Sequence, residues 1–177
     1  GRLRLSYGPR GWLFASARGS ARPPRAPERH EVFIGRDSEL ARIDAALLGS
    51  HGHVAIVAVQ GMAGVGKTYL AHEFYARHRG RFGSYRHVVL GPEHPGTVAT
   101  AMAVLGKQVG IDAAQVDEPA VAEVLRAQQA LVHVDNVDSA PAALLVAELA
   151  NALDDIPVLV TGRYTALGTA AGSGWTR

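Results

Sequence analysis

The chain has 177 residues, 47% of them apolar and 19% charged, with a formal net charge of +2. That length fits one domain with a real core, and the composition excludes a wholly disordered chain. There is no cysteine, which excludes a disulfide framework, a thiolate metal site or a cysteine nucleophile and is compatible with a reducing, cytoplasmic setting. No apolar run approaches the roughly 20 residues of a membrane helix, so no membrane partner is expected.

The charge is unevenly placed. Residues 1–30 hold seven arginines against one acid, Glu28, so their net +6 leaves −4 for the rest of a chain whose total is +2. The basic isoelectric point therefore belongs to this stretch, and direct nucleic-acid binding by the folded remainder is not expected from it. Its mixture of Arg, Gly, Ser and Pro shows no periodicity and reads as a disordered basic lead-in. Trp12-Leu13-Phe14 is too short an apolar centre for a signal peptide; an Arg-rich, acid-poor targeting segment is the alternative.

Residues 31–177 read as one domain. Val32-Phe33-Ile34-Gly35-Arg36 is a short extended segment, and Leu40, Ile43 and Leu47 mark one face of a following helix. A strand is predicted over about 53–59, a helix to about 78, and a strand from Tyr85 to Leu90 bounded by Gly83 and Gly91-Pro92. Val98, Ala101, Met102, Leu105 and Val109 predict a helix over 97–109, and a second begins near Pro119. Ala130–Asp135 is a third strand, 140–153 a helix with Pro141 in its first turn, and Pro157–Thr161 a fourth strand. Near-continuous apolar strands alternating with helices predict an α/β fold, three layers around a parallel sheet. No further strand is expected after Arg163, and the C-terminal part of the domain reads as missing.

Between the first long strand and its helix lies Gly61-Met62-Ala63-Gly64-Val65-Gly66-Lys67-Thr68, which fits the phosphate-binding pattern G-x-x-x-x-G-K-[ST] in the strand–loop–helix context that pattern requires. Glycines let the backbone close around phosphate oxygens, and amide groups point inward at the positive end of the helix. Lys67 can reach the β- and γ-phosphates, and the Thr68 hydroxyl can ligate Mg²⁺. The loop needs an acidic partner for that metal on the end of a buried strand. Asp135, at the carboxyl end of Leu131-Val132-His133-Val134, fits. The next position is Asn136, which cannot act as a base at neutral pH. Loss of a general base typically costs 10²–10⁴ in rate; Asp138 is the residue that could compensate through a water. These residues favour a nucleotide holder over a fast motor.

Three segments in order resemble the nucleotide-binding module of the STAND class of P-loop ATPases, the NB-ARC family in particular. Val32–Leu40 resembles its leading hhGRxxEL segment, and Gly61–Thr68 with Leu70-Ala71 its GMGGVGKTTLA loop. Leu131–Asp138 and Val158–Arg163 resemble its LLVLDDV and VLVTSR elements. The resemblance covers about residues 31–165. It implies a P-loop NTPase core binding ATP or ADP with Mg²⁺, with Ile34 and Arg36 against the adenine and Arg163 sensing the γ-phosphate. It also implies an effector domain and a repeat sensor elsewhere in the protein, with oligomerisation on activation. Asn136 departs from the family's commoner second acid, and the fifth strand that would flank the phosphate-loop strand is not expected.

Three functions follow as expectations: an ATP/ADP-dependent switch with slow or absent hydrolysis, an active ATPase or phosphotransferase of the same fold, or a degenerate scaffold. The eight histidines invite a metal hypothesis, but His72-Glu73 lacks a second His at metalloprotease spacing and His133 reads as packed or hydrogen-bonded within its strand.

Overall fold

A computed structural model describes residues 4–7, 13–16, 36–49, 56–60, 66–91, 96–112, 116–164 and 175–176. Within the basic lead-in, β1 (Arg4–Tyr7) and β2 (Leu13–Ser16) pair antiparallel, with Arg4 opposite Ser16 and Tyr7 opposite Leu13. The sequence reading gives this stretch no regular element; the signal lies in Gly8-Pro9-Arg10-Gly11, turn-forming residues between two short apolar runs. The other residues of 1–30, and the expected boundary near residue 30, lie outside the described residues.

The remaining elements alternate, as the apolar pattern predicts. They are α1 (Asp37–Gly49), β3 (Ile56–Gln60), α2 (Lys67–Arg77), β4 (Ser84–Val89), α3 (Val98–Gln108), α4 (Glu118–Ala127), β5 (Ala130–Asp135), α5 (Ala140–Leu153), β6 (Val158–Gly162) and β7 (Trp175–Thr176). The sheet runs β4-β5-β6-β3-β7, and every pairing in it is parallel. Parallel neighbours need crossover connections, and α2, α3 with α4, and α5 supply those that link β3, β4, β5 and β6 in chain order. Local chemistry starts those helices where the sequence says. Thr97 and Thr100 form a reciprocal capping box on α3, and the Ser139 hydroxyl accepts from the Ala142 amide at the start of α5. Prolines at 119 and 141 sit in first turns, where no amide is missed.

The two faces of the sheet bury different sets. On one, α3, α4 and α5 cover Val132, Val134, Val158 and Val160, with Met102, Leu105, Val121, Leu125, Val146, Leu149 and Leu153 fully enclosed. On the other, α1 and α2 cover Leu131, Leu159 and Tyr85 with Leu40, Ile43, Leu70 and Phe74. An exposed edge invites stray pairing. At β4, Gln108 of α3 closes part of it: its side chain accepts from the His87 amide at 3.2 Å and donates to the His87 carbonyl at 2.7 Å.

One expectation needs correction. A strand does flank the phosphate-loop strand: β7 pairs with β3, Ile56 opposite Trp175 and Val57 opposite Thr176. Two residues are too short to show a strand period in sequence, and Trp and Thr gain their β preference from the neighbour they meet.

Candidate functional site

The site forms at the carboxyl ends of β5 and β6 and the amino end of α2. Gly66 immediately precedes α2 with φ 79°, a left-handed conformation that a side chain would strain. Lys67 and Thr68 open the helix, and both line the cleft. Gly61, Met62, Ala63, Gly64 and Val65 lie outside the described residues, as does Ile34. Lining the cleft among the described residues are Gly66, Lys67, Thr68, Tyr69, Asp135, Asn136, Asp138, Gly162 and Arg163. The two motif halves expected to cooperate are therefore brought together. Arg36 is not in that lining; its carbonyl accepts the Leu40 amide at the start of α1.

Asp135 ends β5 with both oxygens engaged. Oδ2 accepts from the Thr68 hydroxyl at 2.8 Å, while Oδ1 accepts from the Asn136 amide at 2.8 Å and from the Thr161 hydroxyl. Burial opposes ionisation of this carboxyl, but His87, Thr161 and Thr68 outweigh burial and hold it well below the usual carboxylate range. His87 Nε2 stands 3.8 Å from Oδ2, so it acts on the carboxylate without a normal hydrogen bond. Asp135 is a carboxylate with only acceptor capacity. The Thr68 hydroxyl and the Asp135 carboxylate bring two oxygen donors together at the cleft, the donor type Mg²⁺ takes, so these residues would hold the ion.

Asn136 turns the chain out of the sheet at φ 65°, where Asn is better tolerated than most residues. The next turn runs tightly against β6: the Val137 amide donates to the Thr161 carbonyl at 3.0 Å and the Tyr164 amide to the Val137 carbonyl at 3.1 Å. A Cβ on Gly162 would stand 2.1 Å from the Val137 oxygen, so only glycine fits there. This contact brings Arg163 onto Asp138. The Arg163 amide and Nε each donate to Asp138 at 2.8 Å, and Nη2 lies 2.6 Å from Oδ2. The Arg163 guanidinium holds the Asp138 carboxyl below its ordinary value.

His133 is hydrogen-bonded within the sheet, as the sequence suggests, but its partners Tyr85 and Thr161 and its neighbours His87 and His72 are not readable there. His133 is fully buried; its Nδ1 meets the Tyr85 hydroxyl at 2.5 Å and its Nε2 the Thr161 hydroxyl at 2.8 Å. Burial pushes its pKa down to about 3, so the ring is neutral. His87 lies beside it on β4, the rings 4.6 Å apart and within 3° of parallel, and His72 of α2 stands edge-on to both. The signal was the period of two: 131, 133 and 135 share a sheet face with 159 and 161. Ligand nitrogens of the three histidines lie within 4.8 Å of one another. They are poorly arranged for a shared metal. Both His133 nitrogens are engaged, and a metal lies near the plane of each ring it binds, which two stacked parallel rings do not permit.

The relatives of the chain fit this geometry. The AAA ATPase domain family matches residues 32–161, and the chain belongs to that family of P-loop NTPases. It is 30% identical over 132 residues to the disease resistance-like protein CSA1 of Arabidopsis thaliana, a match covering 68% of this chain and 11% of that protein. It is also similar in fold to the Orc1 protein of Aeropyrum pernix, solved in complex with DNA. There the TM-score is 0.50 at 17% identity, over 82% of this chain and 45% of that one. The chain thus spans less than half the length of either relative. Among the described residues, no helix is long and apolar enough to cross a membrane.

Proposed function

We propose that the chain is the ATP/ADP-binding switch module of a signal-transducing NTPase of the NB-ARC type, with hydrolysis slow or absent. The observation that carries this reading is that, among the described residues, no carboxylate at the reacting end of the cleft is a free base. Asp135 is committed to Thr68, Thr161 and Asn136, Asp138 to Arg163, and Asn136 is not a base. The similarity to a disease resistance-like protein and the order of the three sequence segments support the same reading.

In this reading, the loop 61–68 cradles the phosphates with backbone amides, Lys67 neutralises their outer charge, and Thr68 and Asp135 hold Mg²⁺. Mg²⁺ held there would supply neutralisation of the phosphate charge. Arg163 exchanges Asp138 for the γ-phosphate, which makes the turn after β6 differ between the triphosphate and diphosphate states. The same exchange releases Asp138 and permits slow hydrolysis. That favours, as the second reading, an active ATPase with Asp138 as its base. Ile34 and Arg36 serve the adenine, and effector and sensor domains elsewhere in the protein read the switch.

Calorimetry of ATP and ADP with Mg²⁺ tests the reading. Lys67→Ala should weaken binding on the order of 100-fold, the loss of charge-assisted hydrogen bonds. Unchanged affinity in that variant would make the site vestigial. Multi-turnover phosphate release abolished by Asp138→Asn would establish the ATPase reading instead.

A further inference from the structure

Three buried side chains form a chain of hydrogen bonds that leads to the Asp135 carboxylate: Tyr85 of β4 meets His133 of β5, His133 meets Thr161 of β6, and Thr161 donates to Asp135. Counting donors fixes the direction of every bond. Asp135 is ionised and can only accept, so the single hydroxyl proton of Thr161 goes to Oδ1. The Thr161 oxygen must then accept from His133, which places the imidazole proton on Nε2. Nδ1 is left bare and accepts from the Tyr85 hydroxyl. Burial and the negative charge of Asp135 both raise the Tyr85 pKa, so that hydroxyl keeps its proton to donate.

We propose that His133 is a positioning residue for Asp135, with Tyr85 selecting its tautomer and Thr161 transmitting it. In the opposite tautomer Nε2 would accept, and the Thr161 proton would turn from Asp135 to His133. Oδ1 would then lose one of its two donors, and the carboxylate would be free to rotate about its Cβ–Cγ bond. With the chain intact, Oδ1 is held from behind and Oδ2 is presented to the cleft, 2.8 Å from the Thr68 hydroxyl. The ring itself touches neither nucleotide nor metal. It acts as outer partners of ligating side chains do, by orienting the ligand. The buried run of hydrogen bonds from Tyr85 through His133 and Thr161 to Asp135 gives that orientation its rigidity. The inference rests on the reading of Thr68 and Asp135 as the Mg²⁺ holders.

The test measures, on the full chain, the gain in ATP affinity on going from EDTA to Mg²⁺. Wild type should show a gain that Asp135→Asn removes; if it does not, the metal-dependent reading fails and this inference with it. Given that gain, His133→Leu should reduce it about 10–100-fold while leaving affinity in EDTA unchanged. His133→Gln, which keeps a donor facing Thr161, should restore most of it. A folded His133→Leu protein with the wild-type Mg²⁺ gain would overturn the proposal, as would equal loss of affinity in EDTA and in Mg²⁺. Should His133→Leu not fold, Tyr85→Phe removes only the terminal donor and should reduce the gain by roughly threefold; no reduction overturns the proposal. Independently, the ring nitrogens of His133 should show in their ¹⁵N spectrum a protonated Nε2 and a bare Nδ1. The opposite assignment would contradict it.

Discussion

The two faces of the same strands differ in chemistry. Toward α3, α4 and α5, β5 and β6 present Val132, Val134, Val158 and Val160, all fully buried against apolar side chains. Toward α2 they present His133 and Asp135 beside Thr161, flanked by Tyr85 and His87 of β4. Each side chain on the apolar face has many interchangeable neighbours, whereas the polar side works only if every donor finds its acceptor. One side of these strands therefore contributes packing alone, while the other combines the apolar cluster under α1 and α2 with the groups that aim the carboxylate. Stability and site geometry should then respond to different substitutions.

The largest effect on stability should come from the apolar face. Leu149→Ala removes a fully buried side chain of α5 and should cost about 2–5 kcal/mol in denaturant unfolding. Its Mg²⁺-dependent gain in ATP affinity should match wild type, and a lost gain would mean the two faces are not separable. Thr161→Val should be milder, about 1–3 kcal/mol, from polar groups left unmatched. It should nonetheless remove most of the Mg²⁺ gain, the reverse of the Leu149→Ala pattern. The smallest effect is that of pH. The His133 pKa is depressed to about 3 from an ordinary value of 6.5, so above pH 6.5 neither folded nor unfolded ring carries a proton and its neutrality costs nothing. As pH falls below 6.5 the unfolded chain takes up a proton that the folded one refuses, and stability declines until the folded ring titrates. The decline should be about 1 kcal/mol over the first pH unit below 6.5, and smaller in His133→Gln. Identical pH profiles for the two proteins would place the titration elsewhere.

Much of this arrangement is legible in the sequence. Ala130–Asp135 and residues 140–153 coincide with β5 and α5, because one is a compact apolar run closed by an acid and the other a long apolar pattern with serine and proline at its start. Other boundaries shift by one residue, as at β4, which runs Ser84–Val89 where Tyr85 to Leu90 is expected; the expected start of β3 near 53 lies outside the described residues. Lys67, Thr68, Asp135, Asn136, Asp138 and Arg163 are all readable as site residues and share one cleft. The pairing of Asp138 with Arg163 is not readable, because it depends on how closely the turn after β5 passes Gly162. Nor is β7, two residues that have no period of their own.

The sequence by itself determines the class of this protein: a phosphate loop between strand and helix, an acid at the end of a second buried strand, and apolar strands that require a parallel sheet. Those are local patterns, carried by spacing and residue type over a few turns of chain. Only the tertiary structure decides what stands behind the acid. Strand register sets His87 against His133, and the β5–β6 pairing brings Thr161 to Asp135. Hydrogen-bond partners 26 to 48 residues apart meet because the sheet closes over them, and no pattern within one segment encodes that meeting.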